Sequence, residues 1–326
     1  MRTFVTPKVV ISKCIEFEPC RYNAQIIASD FVKMLKPHVE FLPVCPESEI
    51  GLGVPRDAIR LVALQETTRL MQPKTGRDVT KEMKSFAQDF LSSLGGIDGF
   101  ILKASSPTCG IRNTKIYPGI EKVAPISRTA TGLFGDAVIE RFSRFAIEDE
   151  GRLRNARIKE HFLKRLFTLA RFRELKATPS MKNLINFHKE NKFLLMSYNQ
   201  AEMKVMGNIA ANSDQKPISE LIKDYEAHLL KALSRAPRYT SNINVLMHAL
   251  GHFSDRLNDG EKAMFLDMLQ RYREGKVTIC PATTLLKAWI VRFDEEYLRT
   301  QTFFEPYPQD LMEIDPISSH KGRDLW

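Results

Sequence analysis

Short apolar runs and helical stripes alternate along the first third of the chain. Val9-Val10-Ile11-Ser12 is compact, β-branched and apolar, as a buried strand requires, and Val39 to Val44 and Gly99-Phe100-Ile101-Leu102 read the same way. Between them the pattern predicts helices over about Ala24 to Leu35, ahead of Pro37, and over about Asp57 to Met71, just after Pro55. A third helix is capped by Asp78 or Thr80; its Met83, Phe86, Ala87, Phe90, Leu91 and Leu94 recur at helical spacing until Gly95-Gly96 stops it. Strands separated by helices of this length imply crossover connections and a parallel sheet.

Beyond about Glu140 the strand pattern stops. Residues 137–176 read as long basic helix, Thr178-Pro179-Ser180 breaks it, and a helix restarts at Met181. Helical patterns then alternate with polar turns such as Asn212-Ser213-Asp214 and Asn258-Asp259-Gly260, and Ile317 to Trp326 reads as a loose tail. The expected fold class is α/β. A Rossmann-like parallel-sheet domain spans 1–147, a basic helical connector 148–180, and an all-α domain 181–326.

Composition narrows the class further. At 326 residues the chain exceeds one ordinary core, and no apolar run reaches the roughly 18 residues that a membrane span needs. The opening MRTFVTPKVVISK has no leader-like apolar stretch, so the expectation is a soluble cytoplasmic protein with no membrane partner, its oligomeric state left open. Five cysteines, an odd number in a long chain, point to reduced thiols rather than a disulfide framework.

Net charge is +9, and its excess is concentrated in residues 151–180, where nine basic side chains face two acidic ones. Arg152, Arg154, Arg157, Lys159, Lys164, Arg165, Arg171 and Arg173 carry most of it. A solvated helix face with an ordinary Glu160–Lys164 pair needs less, so RNA phosphates are the expected partner. An acidic membrane surface fits less well, because Phe162, Leu163, Leu166, Phe167 and Leu169 suit packing on protein.

Cys14 and Cys45 follow the first two strands, and Cys109 lies seven residues after Leu102 at the end of the third. The carboxyl ends of parallel strands share one edge, where ligands bind, so these cysteines are expected to meet. Structural zinc usually takes closely paired cysteines, which are lacking here; three scattered thiolates suit a 4Fe-4S cluster better, and ordinary buried cysteines remain the plain alternative.

Six ordered motifs carry a resemblance. Val10-Ile-Ser-Lys-Cys14, Cys20-Arg-Tyr-Asn23, Pro43-Val-Cys45-Pro-Glu47, Gly51-Leu-Gly-Val-Pro-Arg56, Gly76-Arg-Asp-Val-Thr80 and Lys103-Ala-Ser-Ser-Pro-Thr-Cys-Gly110 resemble the TudS family of thiouracil desulfidases. Further on, Asn186-Phe-His188, Asn244-Val-Leu-Met-His248, Gly251-His-Phe253, Tyr272-Arg-Glu-Gly275 and Tyr297-Leu-Arg-Thr-Gln301 are similar to the helical domain of the RudS family, which removes sulfur from 4-thiouridine in tRNA. The resemblance implies a 4Fe-4S cluster held by Cys14, Cys45 and Cys109, with one iron not ligated by cysteine, and acid/base groups at Glu47 and Ser106. Cys20 is expected outside the permanent ligand set, since full ligation would block the substrate iron.

The implied chemistry is non-redox removal of sulfur from tRNA 4-thiouridine. An open iron is a Lewis acid for the thiocarbonyl sulfur, while Glu47 deprotonates water and Ser106 relays a proton or holds the ring. Desulfidation of free thiopyrimidines, and RNA binding with a structural or sensing cluster, are the competing expectations. Arg21 and Arg56 are read as phosphate contacts or partners of Asp78. His248, His252 and Cys280 are read as packing residues.

Overall fold

The computed structural model describes residues 2–64, 67–121 and 123–312. They divide into two compact units. One comprises the described residues within Phe4–Arg171 and from Tyr307 onward; the other is Phe172–Pro306 with Arg2 and Thr3. The tail expected from Ile317 lies outside the described residues.

Four parallel strands form the centre of the first unit: β1 (Lys8–Ser12), β2 (Glu40–Val44), β6 (Gly99–Leu102) and β9 (Ala146–Asp149), in the spatial order β2-β1-β6-β9. The near-continuous apolar runs follow from cover on both faces. Val9, Ile11 and Ile101 pack with Phe31, Val32 and Leu35 of α1 (Asp30–Leu35) and with Phe162, Leu163 and Leu166 of α5 (Ala156–Ala177). Val10, Phe100 and Leu102 point the other way, towards Met83, Ala87 and Leu91 of α3 (Thr80–Ser93) and Phe134 and Val138 of α4 (Leu133–Phe142). The two-residue period of a strand thus sorts one apolar run into two cores.

A second sheet has the order β5-β4-β3-β7-β8, built from β3 (Arg60–Leu64), β4 (Thr67–Gln72), β5 (Arg77–Asp78), β7 (Thr114–Tyr117) and β8 (Ser127–Ala130). Three expectations are corrected. The helix expected over Asp57–Met71 is the antiparallel β3–β4 pair, in which Leu61 faces Leu70 and Ala63 faces Thr68. Val62, Thr67 and Thr68 are β-branched, and their fit to a pleated surface outweighs the helical spacing of the leucines. The helix expected from Ala24 starts only at Asp30, where the Ser29 hydroxyl accepts from Val32 N. Residues 137–176 are not one helix: they contain the end of α4, the fourth parallel strand β9 and most of α5. The α/β class stands, with one more parallel strand than the apolar runs reveal.

The second unit is all helix among its described residues. α6 (Met181–Tyr198), α7 (Gln200–Ala211), α8 (Ile218–Ala232), α9 (Tyr239–Gly251), α10 (Asp259–Arg273), α11 (Cys280–Arg292) and α12 (Glu296–Arg299) follow in order. Asn258 and Glu261 form a reciprocal capping box at the start of α10. Phe172, Phe187 and the fully buried Tyr225 form an aromatic centre, with Phe172 and Tyr225 stacked at 5.7 Å. His252 stacks on Tyr297 at 5.4 Å, a packing role; Cys280, expected to pack, is exposed at the first position of α11.

Candidate functional site

Parallel strands deliver their carboxyl ends to one edge, and the side chains just beyond β1, β2 and β6 line one cavity of about 370 Å³ there. Cys14, Cys45 and Cys109 all face it, as their strand-end positions predict, and Cys20 joins them. The four thiol residues are 6–9% exposed. Cys45 Sγ donates to the backbone carbonyl of Cys20 at 3.7 Å, and the Cys20 thiol lies beside those of Cys14 and Cys45, two of the three expected ligands.

The thiols of Cys20, Cys45 and Cys109 hold their protons tightly. The Cys20 pKa is raised to about 11, first by the hydrogen bond to Cys14, with Cys45 pulling the other way. Its hydrogen bond to Cys20 raises that of Cys45 most, burial adding to it, while the Ser48 hydroxyl, 3.3 Å from Cys45 Sγ, partly offsets both. Burial raises that of Cys109, against a hydrogen bond from Ser12. Buried thiols so arranged become thiolates only when a cation stands among them, which is the donor chemistry of a metal group. Among the described residues, no three His, Cys, Asp or Glu side chains converge as a single metal ion requires.

Glu47 lies in the short helix α2 (Pro46–Glu49), whose N-cap is Cys45. Arg56 Nε and Nη2 both donate to Glu47 Oε2, at 2.8 and 2.5 Å, and Arg56 Nη1 donates to Gly53 O. That pairing uses one carboxylate oxygen and leaves Oε1 the other acceptor. The Arg56 side chain is only 3% exposed, so the pair is well shielded from water. Asp78, the other partner considered for arginine, pairs with Arg69.

Ser106 also lines the cavity and holds the Cys109 loop. Its Oγ accepts from Thr108 N at 3.2 Å and Cys109 N at 3.1 Å, which leaves its own proton to donate. The loop is clamped against the start of α4 by contacts that only glycine permits. A Cβ on Gly110 would stand 2.6 Å from Ser106 O, one on Gly132 2.5 Å from Thr108 O, and one on Gly135 2.5 Å from Gly110 O. Lys103, also at the cavity, pairs with Glu150 at 2.5 Å.

The basic stretch is divided by its own amphipathicity. Lys159, Lys164 and Arg165 are buried. Lys159 lies over the Phe31 ring, Lys164 pairs with Glu160, and Arg165 donates to the carbonyls of Arg144 and Phe145. Arg152 is held by Glu148, Arg171 and Arg173 are half-buried, and Arg154 and Arg157 are exposed. Position in sequence did not identify Arg56 as the partner of Glu47, nor place Cys20 beside two thiols. The signal available was the Gly51-to-Arg56 loop, short enough to return an arginine to an acid nine residues earlier.

The cavity falls wholly within a stretch of known kinship: residues 9–150 match the model of the 2-thiouracil desulfurase family. Residues 192–308 match a second family, described as protein of unknown function (DUF1722). The chain is 23% identical over 155 residues to the uncharacterized protein YbgA of Escherichia coli (strain K12), covering 47% of this chain and 92% of YbgA. It is 28% identical over 110 residues to the uncharacterized protein YbbK of Bacillus subtilis (strain 168), covering 31% of this chain and 72% of YbbK. Among solved structures it is similar to the 4Fe-4S-dependent thiouracil desulfidase TudS, with 27% identity and a TM-score of 0.37 over 46% of this chain and 94% of that one. Among the described residues, no helix is long and apolar enough to cross a membrane.

Proposed function

We propose that this protein is an iron-sulfur-dependent desulfidase that converts 4-thiouridine in tRNA to uridine and releases sulfide without net electron transfer. One observation carries the reading: buried thiols from three strand ends share a cavity with an oriented carboxylate, inside the stretch that matches the 2-thiouracil desulfurase family. Cys14, Cys45 and Cys109 would hold a 4Fe-4S cluster with one iron free of cysteine, and Cys20 stays outside the permanent ligand set. When bound, such a cluster supplies a soft Lewis acid for thiocarbonyl sulfur.

The chain's own residues do the rest. Glu47 Oε1 takes a proton from water while Arg56 fixes the carboxylate through Oε2. Ser106 donates its hydroxyl proton to the pyrimidine ring and keeps the Cys109 loop in register. Arg154 and Arg157, the exposed part of the basic stretch, contact RNA phosphates.

Anaerobically reconstituted protein incubated with thiolated tRNA, followed by nucleoside mass analysis, tests this directly. Loss of 4-thiouridine with matching gain of uridine supports it, and Arg154→Glu with Arg157→Glu weakens tRNA binding and flattens its salt dependence. The family match also favours a second reading, desulfidation of free thiopyrimidines. Turnover of 2-thiouracil with thiolated tRNA left intact would replace the first reading by the second.

A further inference from the structure

Two of the three expected ligands have a hydroxyl group for a neighbour. Ser48 follows Cys45 by three residues, inside α2, and its Oγ donates to Cys45 Sγ at 3.3 Å. Ser12 ends β1 and is 2% exposed. Its Oγ accepts from Lys103 N at 2.9 Å, which leaves the hydroxyl proton to donate. That proton has a sulfur within reach, because Ser12 and Cys109 both line the cavity and the Ser12 hydroxyl lies beside the Cys109 thiol. Ser12 thereby meets one loop at both ends: at Lys103, where the chain leaves β6, and at Cys109. Ser106 serves the same loop differently, by accepting from the Cys109 backbone N–H. A thiol is a weak acceptor and a metal-bound thiolate a good one, so donors aimed at sulfur gain most once the cysteine carries metal.

We infer that Ser12 and Ser48 are positioning residues that draw charge from the Cys109 and Cys45 thiolates, and so keep the iron not ligated by cysteine electron-poor enough to attract a thiocarbonyl sulfur. This rests on the desulfidase reading of the cavity and adds to it the residues that set how strongly the metal group pulls on substrate. Thiolates push electron density onto iron, and a hydrogen bond to the sulfur holds part of it back. The reduction potential then rises and so does Lewis acidity, one change read in two ways. A reaction without net electron transfer uses only the second, which leaves the first as an independent gauge.

The test is spectroelectrochemical titration of anaerobically reconstituted proteins matched for iron content. Ser48→Ala removes one donor, and Ser48→Thr restores it. Ser12→Ala removes the other donor together with the acceptor for Lys103 N, whereas Ser12→Thr keeps both. Each alanine variant shifts the reduction equilibrium about tenfold towards the oxidised form, about 59 mV for a one-electron couple, and each threonine variant stays near wild type. Turnover falls about tenfold in the alanine variants. An unmoved potential in Ser48→Ala or Ser12→Ala overturns the role of that serine whatever happens to turnover, since loop support alone would slow the enzyme without moving the couple. Shifted potentials with no wild-type turnover of 2-thiouracil or thiolated tRNA uphold the charge withdrawal and overturn the desulfidase reading instead. Wild type that takes up no iron overturns both.

Discussion

The two units treat their buried polar groups in opposite ways. In the helical unit they close on one another: Gln301 accepts from Phe193 N and donates to Lys189 O, Thr302 donates to Asn191, and Asn191 donates to Phe187 O. Glu202 is likewise held between His228 and Lys231, at 2.6 Å each. In the cavity-bearing unit four thiols, a carboxylate and a serine hydroxyl turn towards a shared space instead. Closed networks of the first kind fix a fold; an open, convergent set stays available to a ligand. Burial alone would rank the two regions alike.

The largest expected effect falls on the open set. Cys45→Ala removes one of three expected ligands, so anaerobically reconstituted protein should lose its iron, its brown absorption and all turnover, as read by iron assay and spectroscopy. Zinc bound tightly in the wild type, with activity retained, would break the contrast at its centre. Next comes Glu47→Gln, which keeps shape and the Arg56 contact but accepts no proton. Iron content should hold while turnover falls about 100-fold. Near-normal turnover would move the base elsewhere.

The closed set should reveal itself through pH. His188 shares a hydrogen bond with Tyr225 at 3.1 Å, and burial lowers its pKa to about 4 from the ordinary 6.5. Below pH 6.5 the unfolded chain gains a proton that the folded state refuses, so stability falls as pH drops from 6.5 towards 4. The loss is on the order of 2 kcal/mol, and His188→Gln should flatten it in urea titrations at several pH values. The smallest effect is Arg56→Lys, which keeps a charge beside Glu47 but loses the two-pronged hold on Oε2. Turnover should drop about tenfold with KM little changed, a split that steady-state kinetics resolves.

How much of this was legible depended on the range of the forces involved. β1 and β6 are short, apolar at their centres and buried on both faces, and β2 carries a short apolar run although it is largely exposed, so local composition carried them, and with them the meeting of Cys14, Cys45 and Cys109. The periodic face of α3 was equally plain. The second sheet was not, because β7 and β8 mix polar and apolar residues over four positions each and acquire strand form only by pairing. Likewise Arg56 could be matched to Glu47 only once the loop between them had closed. In α5, charge was visible in sequence but burial was not: Lys159, Lys164 and Arg165 lie on the half of the helix that faces the sheet, their charges engaged inside the unit.

The glycine contacts around the Cys109 loop bear on how such a protein matures. Where Gly110, Gly132 and Gly135 let backbone touch backbone, the loop's path is set by the polypeptide itself. A zinc finger waits for its metal to take shape, whereas these contacts are made by backbone alone. On the desulfidase reading, a cluster would dock late into a host already folded, and a lost cluster would be replaced without passage through the unfolded chain.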